Sequence, residues 1–88
     1  MPAVEISSVM EGQGADALFT LGLKYCLGLD VPKDLITAHQ WLNLAAMSGN
    51  DAARKYRLEI AREMAPGEVA EAQRRARAWL RANGSLSG

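Results

Sequence analysis

Two short patterns in this chain of 88 residues occur twice, and the distance between the copies restricts what the chain can fold into. The run GADA at 14–17 returns as GNDA at 49–52, which is 35 positions later. The pattern A-x-x-W-L at 38–42 returns at 76–80, which is 38 positions later. Units of about this length usually hold two helices and stack on one another, because a single unit cannot bury its apolar face. The repeat therefore predicts two helix pairs packed side by side.

Apolar residues at helical spacing predict four helices, over about 14–27, 34–48, 51–64 and 66–82. Asp34 is a suitable N-cap for the second helix, the pair Gly49 and Asn50 ends it, and Pro66 suits the first turn of the fourth. The chain is 49% hydrophobic, and alanine, the strongest helix former, supplies much of that fraction. The fold class predicted is all-α.

The breaks between these segments divide the chain into an arm, one compact domain and a tail. Residues 1–12 show no helical period and are predicted to be a flexible arm, although Val4–Met10 contains apolar residues that can dock. Residues 13–82 form the domain, with one full repeat over 13–50 and a degenerate or capping repeat over 51–82. Residues 83–88 are predicted to be a disordered tail.

The residues of the first repeat carry a resemblance to a known family. Their pattern is Ala17-x-x-x-Leu21-Gly22-x-x-Tyr25-x-x-Gly28-x-x-Val31-x-x-Asp34-x-x-x-Ala38-x-x-Trp41-Leu42-x-x-Ala45-Ala46-x-x-Gly49. Over residues 15–50 this pattern resembles the Sel-one-like repeat, a relative of the tetratricopeptide repeat. The resemblance implies two stacked antiparallel helix hairpins of the tetratricopeptide-like superhelical type, and a role as a scaffold or adaptor that holds other proteins.

The second repeat matches the pattern less well. Trp79 is equivalent to Trp41, but the positions equivalent to Gly22 and Tyr25 hold Arg57 and Ile60. A glycine allows two helices to approach closely, so the second pair is expected to pack differently or to act as a cap.

The first helix is apolar on two sides, which predicts that something covers it on two sides. Besides the side that faces the second helix, it carries Phe19, Leu23, Cys26 and Leu27 at helical spacing. The third helix, the arm, a second copy of the chain in a homodimer, or a partner protein are the candidate covers. The residues predicted to contact a protein partner are Phe19, Leu23, Leu27, Arg54 and Lys55.

The charges of the chain are separated although they sum to zero. Residues 1–50 hold five acids and two bases, a net charge of −3, whereas residues 51–88 hold five acids and eight bases, a net charge of +3. The bases of the fourth helix (Arg74, Arg75, Arg77 and Arg81) give an alternative function, nucleic-acid binding. The neutral total charge and a pI near 6.6 argue against that alternative.

The sequence offers no residues for catalysis, for a cofactor or for a metal ion. His39 is the only histidine and Cys26 the only cysteine, so neither has a partner at the spacing of a catalytic or metal site. Glu59 and Glu63 lie one turn apart, but neighbouring bases indicate a solvated helix face. With no signal peptide and no apolar run of about 20 residues, the chain is predicted to be a cytoplasmic protein that does not insert into membranes.

Overall fold

The computed structural model describes residues 14–83, which form four α-helices. They are α1 (Gly14–Leu27), α2 (Leu35–Met47), α3 (Asp51–Ala61) and α4 (Pro66–Asn83). This part of the chain contains no strand, so the prediction of an all-α fold is confirmed. The predicted arm, residues 1–12, and the tail beyond residue 83 lie outside the described residues.

Two helix ends differ from the predictions. Helix α3 ends at Ala61 rather than at Met64, because the N–H groups that follow bond to carbonyls only three residues back, as in a tightened last turn. Asn83 belongs to α4 rather than to the tail, and its side-chain amide donates a hydrogen bond to the carbonyl oxygen of Trp79 at 2.9 Å.

Polar side chains fix where the second and third helices begin. Asp34 caps α2: its carboxylate accepts from the backbone N–H of Thr37 at 3.1 Å and from the hydroxyl of Thr37 at 2.8 Å. Asn50 caps α3 in the same way, since its side-chain oxygen accepts from the N–H of Ala53 at 2.8 Å. Each cap satisfies an N–H group that has no partner within its own helix.

The fourth helix begins by a different arrangement. The side chain of Glu68 reaches back and accepts from the backbone N–H of Ala65 at 2.9 Å, which is one half of a capping box. Pro66 occupies the first helical position, where the missing N–H costs nothing.

The helices α1 and α2 form an antiparallel hairpin. At one end the N–H of Asp34 donates to the carbonyl of Tyr25 at 3.0 Å. At the other end Asn50, just beyond α2, donates through its side chain to Asp16 near the start of α1 at 2.9 Å. Gly28 turns the chain between the two helices with a φ of 73°, a conformation that favours glycine.

The centre of this hairpin is a close contact at Gly22. A Cβ atom at this position would lie 2.7 Å from the side chain of Leu42 and 3.2 Å from its backbone nitrogen. Both residues are buried, and Leu42 is fully so. The predicted role of Gly22, to allow a close approach of the second helix, is therefore confirmed.

The second helix pair stacks on the first. The indole rings of Trp41 on α2 and Trp79 on α4 meet edge to face, with ring centroids 5.8 Å apart. Phe19 on α1 meets Tyr56 on α3 in a tilted arrangement with centroids 5.7 Å apart. The first helices of the two pairs thus contact each other, and so do the second helices.

Within the second pair the packing differs from that of the first. Helices α3 and α4 follow one another in the chain, yet each contacts α2 far more than the other. Arg57 stands where the first repeat has Gly22, so α3 cannot offer the close approach that a glycine gives. Its guanidinium instead donates to the side-chain oxygen of Asn43 on α2 at 2.7 Å. Helix α2 is therefore the central helix of the fold.

Candidate interaction surfaces

The apolar second side of α1 is only partly covered. Phe19 is half-buried against Tyr56 of α3, and Leu23 is half-buried as well. Leu27 is 61% exposed and Tyr56 41% exposed. Of the covers predicted from the sequence, the third helix contacts the Phe19 end of this stripe, whereas none of the described helices encloses the Leu27 end. We call Phe19, Leu23, Leu27 and Tyr56 the α1–α3 face.

The two basic residues predicted to share this surface are placed differently. Arg54 and Lys55 are both exposed on α3. Arg54 is two residues from Tyr56, which turns it about 200° around the helix axis, away from α1. It lies 3.9 Å from the carboxylate of Asp51, an exposed pair that contributes little to stability. The structure therefore does not bring Arg54 together with the apolar contact residues. Lys55 is exposed one position from Tyr56, about 100° around the axis of α3.

The residues of the repeat signature hold the fold together and are not available to a partner as a group. Gly22, Ala38 and Ala45 are buried, and Gly28 and Gly49 occupy turns with positive φ. The larger members are half-buried against the core: Leu21, Tyr25, Trp41 and Trp79.

Local ion pairs reduce the positive charge of α4. Glu71 contacts both Arg74 and Arg75, and the distance from its carboxylate to Nε of Arg75 is 2.8 Å. Arg77 and Arg81 are exposed near the end of the helix. The sequence contained the signal for these pairs, because Glu71 precedes the two arginines by three and four positions.

His39, the single histidine, is buried on α2. Its side chain is 2% exposed, and its Nδ1 atom has no hydrogen-bond partner among residues 14–83. Burial lowers the pKa of His39, and the nearby positive charge of Arg57 lowers that pKa further. The imidazole is therefore neutral at physiological pH.

Cys26 has the properties of a packing residue. Burial raises the pKa of its thiol, Lys33 opposes that change, and the carboxylates of Glu63 and Glu59 add to it. A thiol with a raised pKa stays protonated at neutral pH, and the protonated form is a poor nucleophile.

An open groove that the sequence did not predict lies where the loops of both helix pairs meet. It has a volume of about 560 Å³. Its residues come from the end of α1, the connection to α2, the first turn of α2, the α3–α4 connection and the first turn of α4, so no single segment of sequence reveals it. We call it the loop-end groove, and it is lined by Tyr25, Pro32, Lys33, Asp34, Leu35, Ile36, Glu63 and Glu68.

The described residues provide neither a cluster of metal ligands nor a membrane-spanning helix. Among residues 14–83, no three His, Cys, Asp or Glu side chains come together in the arrangement of a metal site. None of the four helices combines the length and the hydrophobicity needed to cross a membrane.

Comparisons with protein families, with characterised proteins and with solved structures find no significant match to this chain. The resemblance to the Sel-one-like repeat thus stays a prediction from the residues that carry it.

Proposed function

We propose that this chain is a protein-interaction module, built from one complete and one degenerate Sel-one-like repeat, that works in the cytoplasm as an adaptor. The observation that supports it best is the open end of the α1–α3 face. Leu27 there is 61% exposed, although Phe19 and Leu23 on the same side of α1 are half-buried. Leu27 extends the apolar side of α1 beyond the part that α3 covers, and an exposed aliphatic residue in such a position is suited to contact a partner protein.

We further propose that the module acts by binding and not by catalysis. The only histidine is buried and neutral, and the only cysteine has a protonated thiol. Catalysis by His39 would need an imidazole that a substrate can reach, and catalysis by Cys26 would need a thiolate.

Affinity capture with matched variants tests the proposal. Leu27→Asp places a charge on the open end of the α1–α3 face. Leu58→Asp makes the same change at a side chain that is 54% exposed but lies on α3 about 200° from Tyr56. We expect Leu27→Asp to reduce capture of the partner from cells at least about tenfold, the effect of losing a central apolar contact, and Leu58→Asp to leave it unchanged.

Circular dichroism of both variants shows whether they remain helical. Equal loss of the partner with Leu58→Asp and Leu27→Asp, or no loss with either, would contradict a binding role for the α1–α3 face.

A further inference from the structure

The loop-end groove combines an apolar floor with a charged rim. Tyr25, Leu35 and Ile36 are half-buried residues that pack against the hydrophobic core and also line the groove. Pro32 adds an exposed ring at one side. A short aliphatic side chain placed on this floor would remove its apolar surface from water, which is favourable.

The rim of the groove carries a net negative charge. Asp34, Glu63 and Glu68 supply three carboxylates and Lys33 one ammonium group, which leaves a net charge of −2. Asp34 and Glu68 also cap helices, and each accepts a hydrogen bond from a backbone N–H group. The carboxylate of Glu63 has no ion-pair or hydrogen-bond partner among residues 14–83, so it is the one most available to a ligand.

We propose that the loop-end groove binds a short segment of a partner protein in which Lys or Arg residues flank an aliphatic residue. The aliphatic side chain would rest against Tyr25 and Ile36, and the flanking cations would pair with Glu63 and Glu68. This site is distinct from the α1–α3 face and gives the module a second contact of defined chemistry. Complementary charge at such a site favours the rate and the specificity of association.

Helix α4 of a second copy of the chain fits this groove less well than such a segment does. The basic residues of α4 would meet the charged rim, but its exposed residues within 66–83 are polar, charged, or small ones such as Ala70 and Ala78. Val69, Trp79 and Leu80 of α4 are half-buried and pack against the core. Helix α4 therefore offers cations without the aliphatic group that the floor of the groove requires.

Fluorescence polarisation with three labelled peptides tests this proposal on the full chain. The probe is Lys-Leu-Arg-Leu-Lys, and the two controls are Lys-Ser-Arg-Ser-Lys, which lacks the aliphatic groups, and Glu-Leu-Glu-Leu-Glu, which reverses the charge. We expect the probe to bind at least about fivefold more tightly than either control, with an affinity that falls as salt is raised.

Two charge reversals, one on α3 and one just beyond its end, distinguish binding in the groove from attraction by the overall charge of the protein. Glu63→Lys should weaken binding of the probe about tenfold, since an attraction becomes a repulsion. Glu59→Lys changes the net charge equally but lies outside the groove, and it should alter the affinity less than about twofold. A lysine near the end of α3 suits the helix dipole, so we expect both variants to fold.

Three results would overturn the proposal. The first is no difference between the probe and the two controls at millimolar peptide. The second is an equal effect of Glu59→Lys and Glu63→Lys, which would show that binding depends on the overall charge of the protein and not on the groove. The third is self-association that Glu63→Lys abolishes, because it would assign the groove to a second copy. None of them affects the comparison of Leu27→Asp with Leu58→Asp, so the two proposals fail separately.

Discussion

The indole rings of Trp41 and Trp79 meet edge to face, with an interplanar angle of 80°, at two positions that the internal repeat matches to each other. Corresponding residues of the two helix pairs are thus in direct contact across the interface between the pairs. Aromatic pairs prefer this geometry because the positive edge of one ring faces the negative face of the other.

We expect replacement of either tryptophan to destabilise the protein strongly. Trp41→Ala and Trp79→Ala should each lower the free energy of unfolding by about 3–5 kcal/mol, through lost burial and the cavity that remains. The double variant should show a coupling of about 0.5–1.5 kcal/mol in a double-mutant cycle measured by urea denaturation. Strictly additive effects would show that the two rings do not stabilise each other.

Gly22→Ala should destabilise the first hairpin. Its new Cβ atom would lie 2.7 Å from the buried side chain of Leu42, so α1 and α2 must move apart, at a cost of about 1–3 kcal/mol. The matched control is Gly67→Ala in the first turn of α4, where nothing lies within 4 Å. That variant should be neutral or stabilising by up to about 1 kcal/mol, because alanine favours a helix. Equal effects of the two changes on the unfolding midpoint would contradict the close packing at Gly22.

Removal of the cap of α2 should cost less but should be sensitive to pH. Asp34→Ala deletes the acceptor for both bonds from Thr37 and should reduce stability by about 1 kcal/mol. The hydrogen bond from the N–H of Thr37 contributes most to the lowering of the pKa of Asp34 below its usual 3.8. The contribution of Asp34 is therefore complete above pH 3.8 and is lost as the pH falls through the pKa of the folded protein. Denaturant unfolding at pH 7 and at pH 2.5 should show a smaller difference between variant and parent at the lower pH.

The burial of His39 predicts a loss of stability in mild acid. The pKa of His39 is lower in the folded protein than the value of 6.5 typical of an unfolded chain, so the unfolded state binds the proton first. Stability should be constant above that range and should decline as the pH falls from 6.5 towards the pKa of the folded state. Thermal unfolding between pH 7.5 and pH 5.5 measures this decline.

His39→Leu is the variant that isolates the effect, because His39 is the only histidine of the chain. It removes a buried Nδ1 atom that lacks a partner among the described residues, so it should fold and lose the decline between pH 7.5 and pH 5.5. A decline that persists in His39→Leu would assign the titration to another group.

The ion pairs of Glu71 predict that α4 is a poor site for nucleic acid. With Arg74 and Arg75 engaged, we expect no binding of a labelled oligonucleotide at 150 mM salt, a condition of about physiological ionic strength. Salt-sensitive binding that weakens in Arg77→Ala and Arg81→Ala would instead support the alternative function.

Features that depend only on residues close together in the sequence were predictable from the sequence alone. The extent of α1, the cap at Asp34 and the first-turn position of Pro66 follow from local preferences of the backbone. The repeat added one long-range expectation, two helix pairs packed side by side, but the contact between the rings of Trp41 and Trp79 is seen only in the structure.

The surfaces that a partner would meet were decided by tertiary packing. Helical spacing placed Phe19 on one side of α1, but only the position of α3 determined that Tyr56 contacts it, and only the packing of the helices buried His39. The loop-end groove required segments from both helix pairs to converge, with Tyr25 and Glu68 more than 40 positions apart in the chain. Local preferences set the dihedral angles within an element, whereas the exposure of a side chain depends on which distant element packs against it.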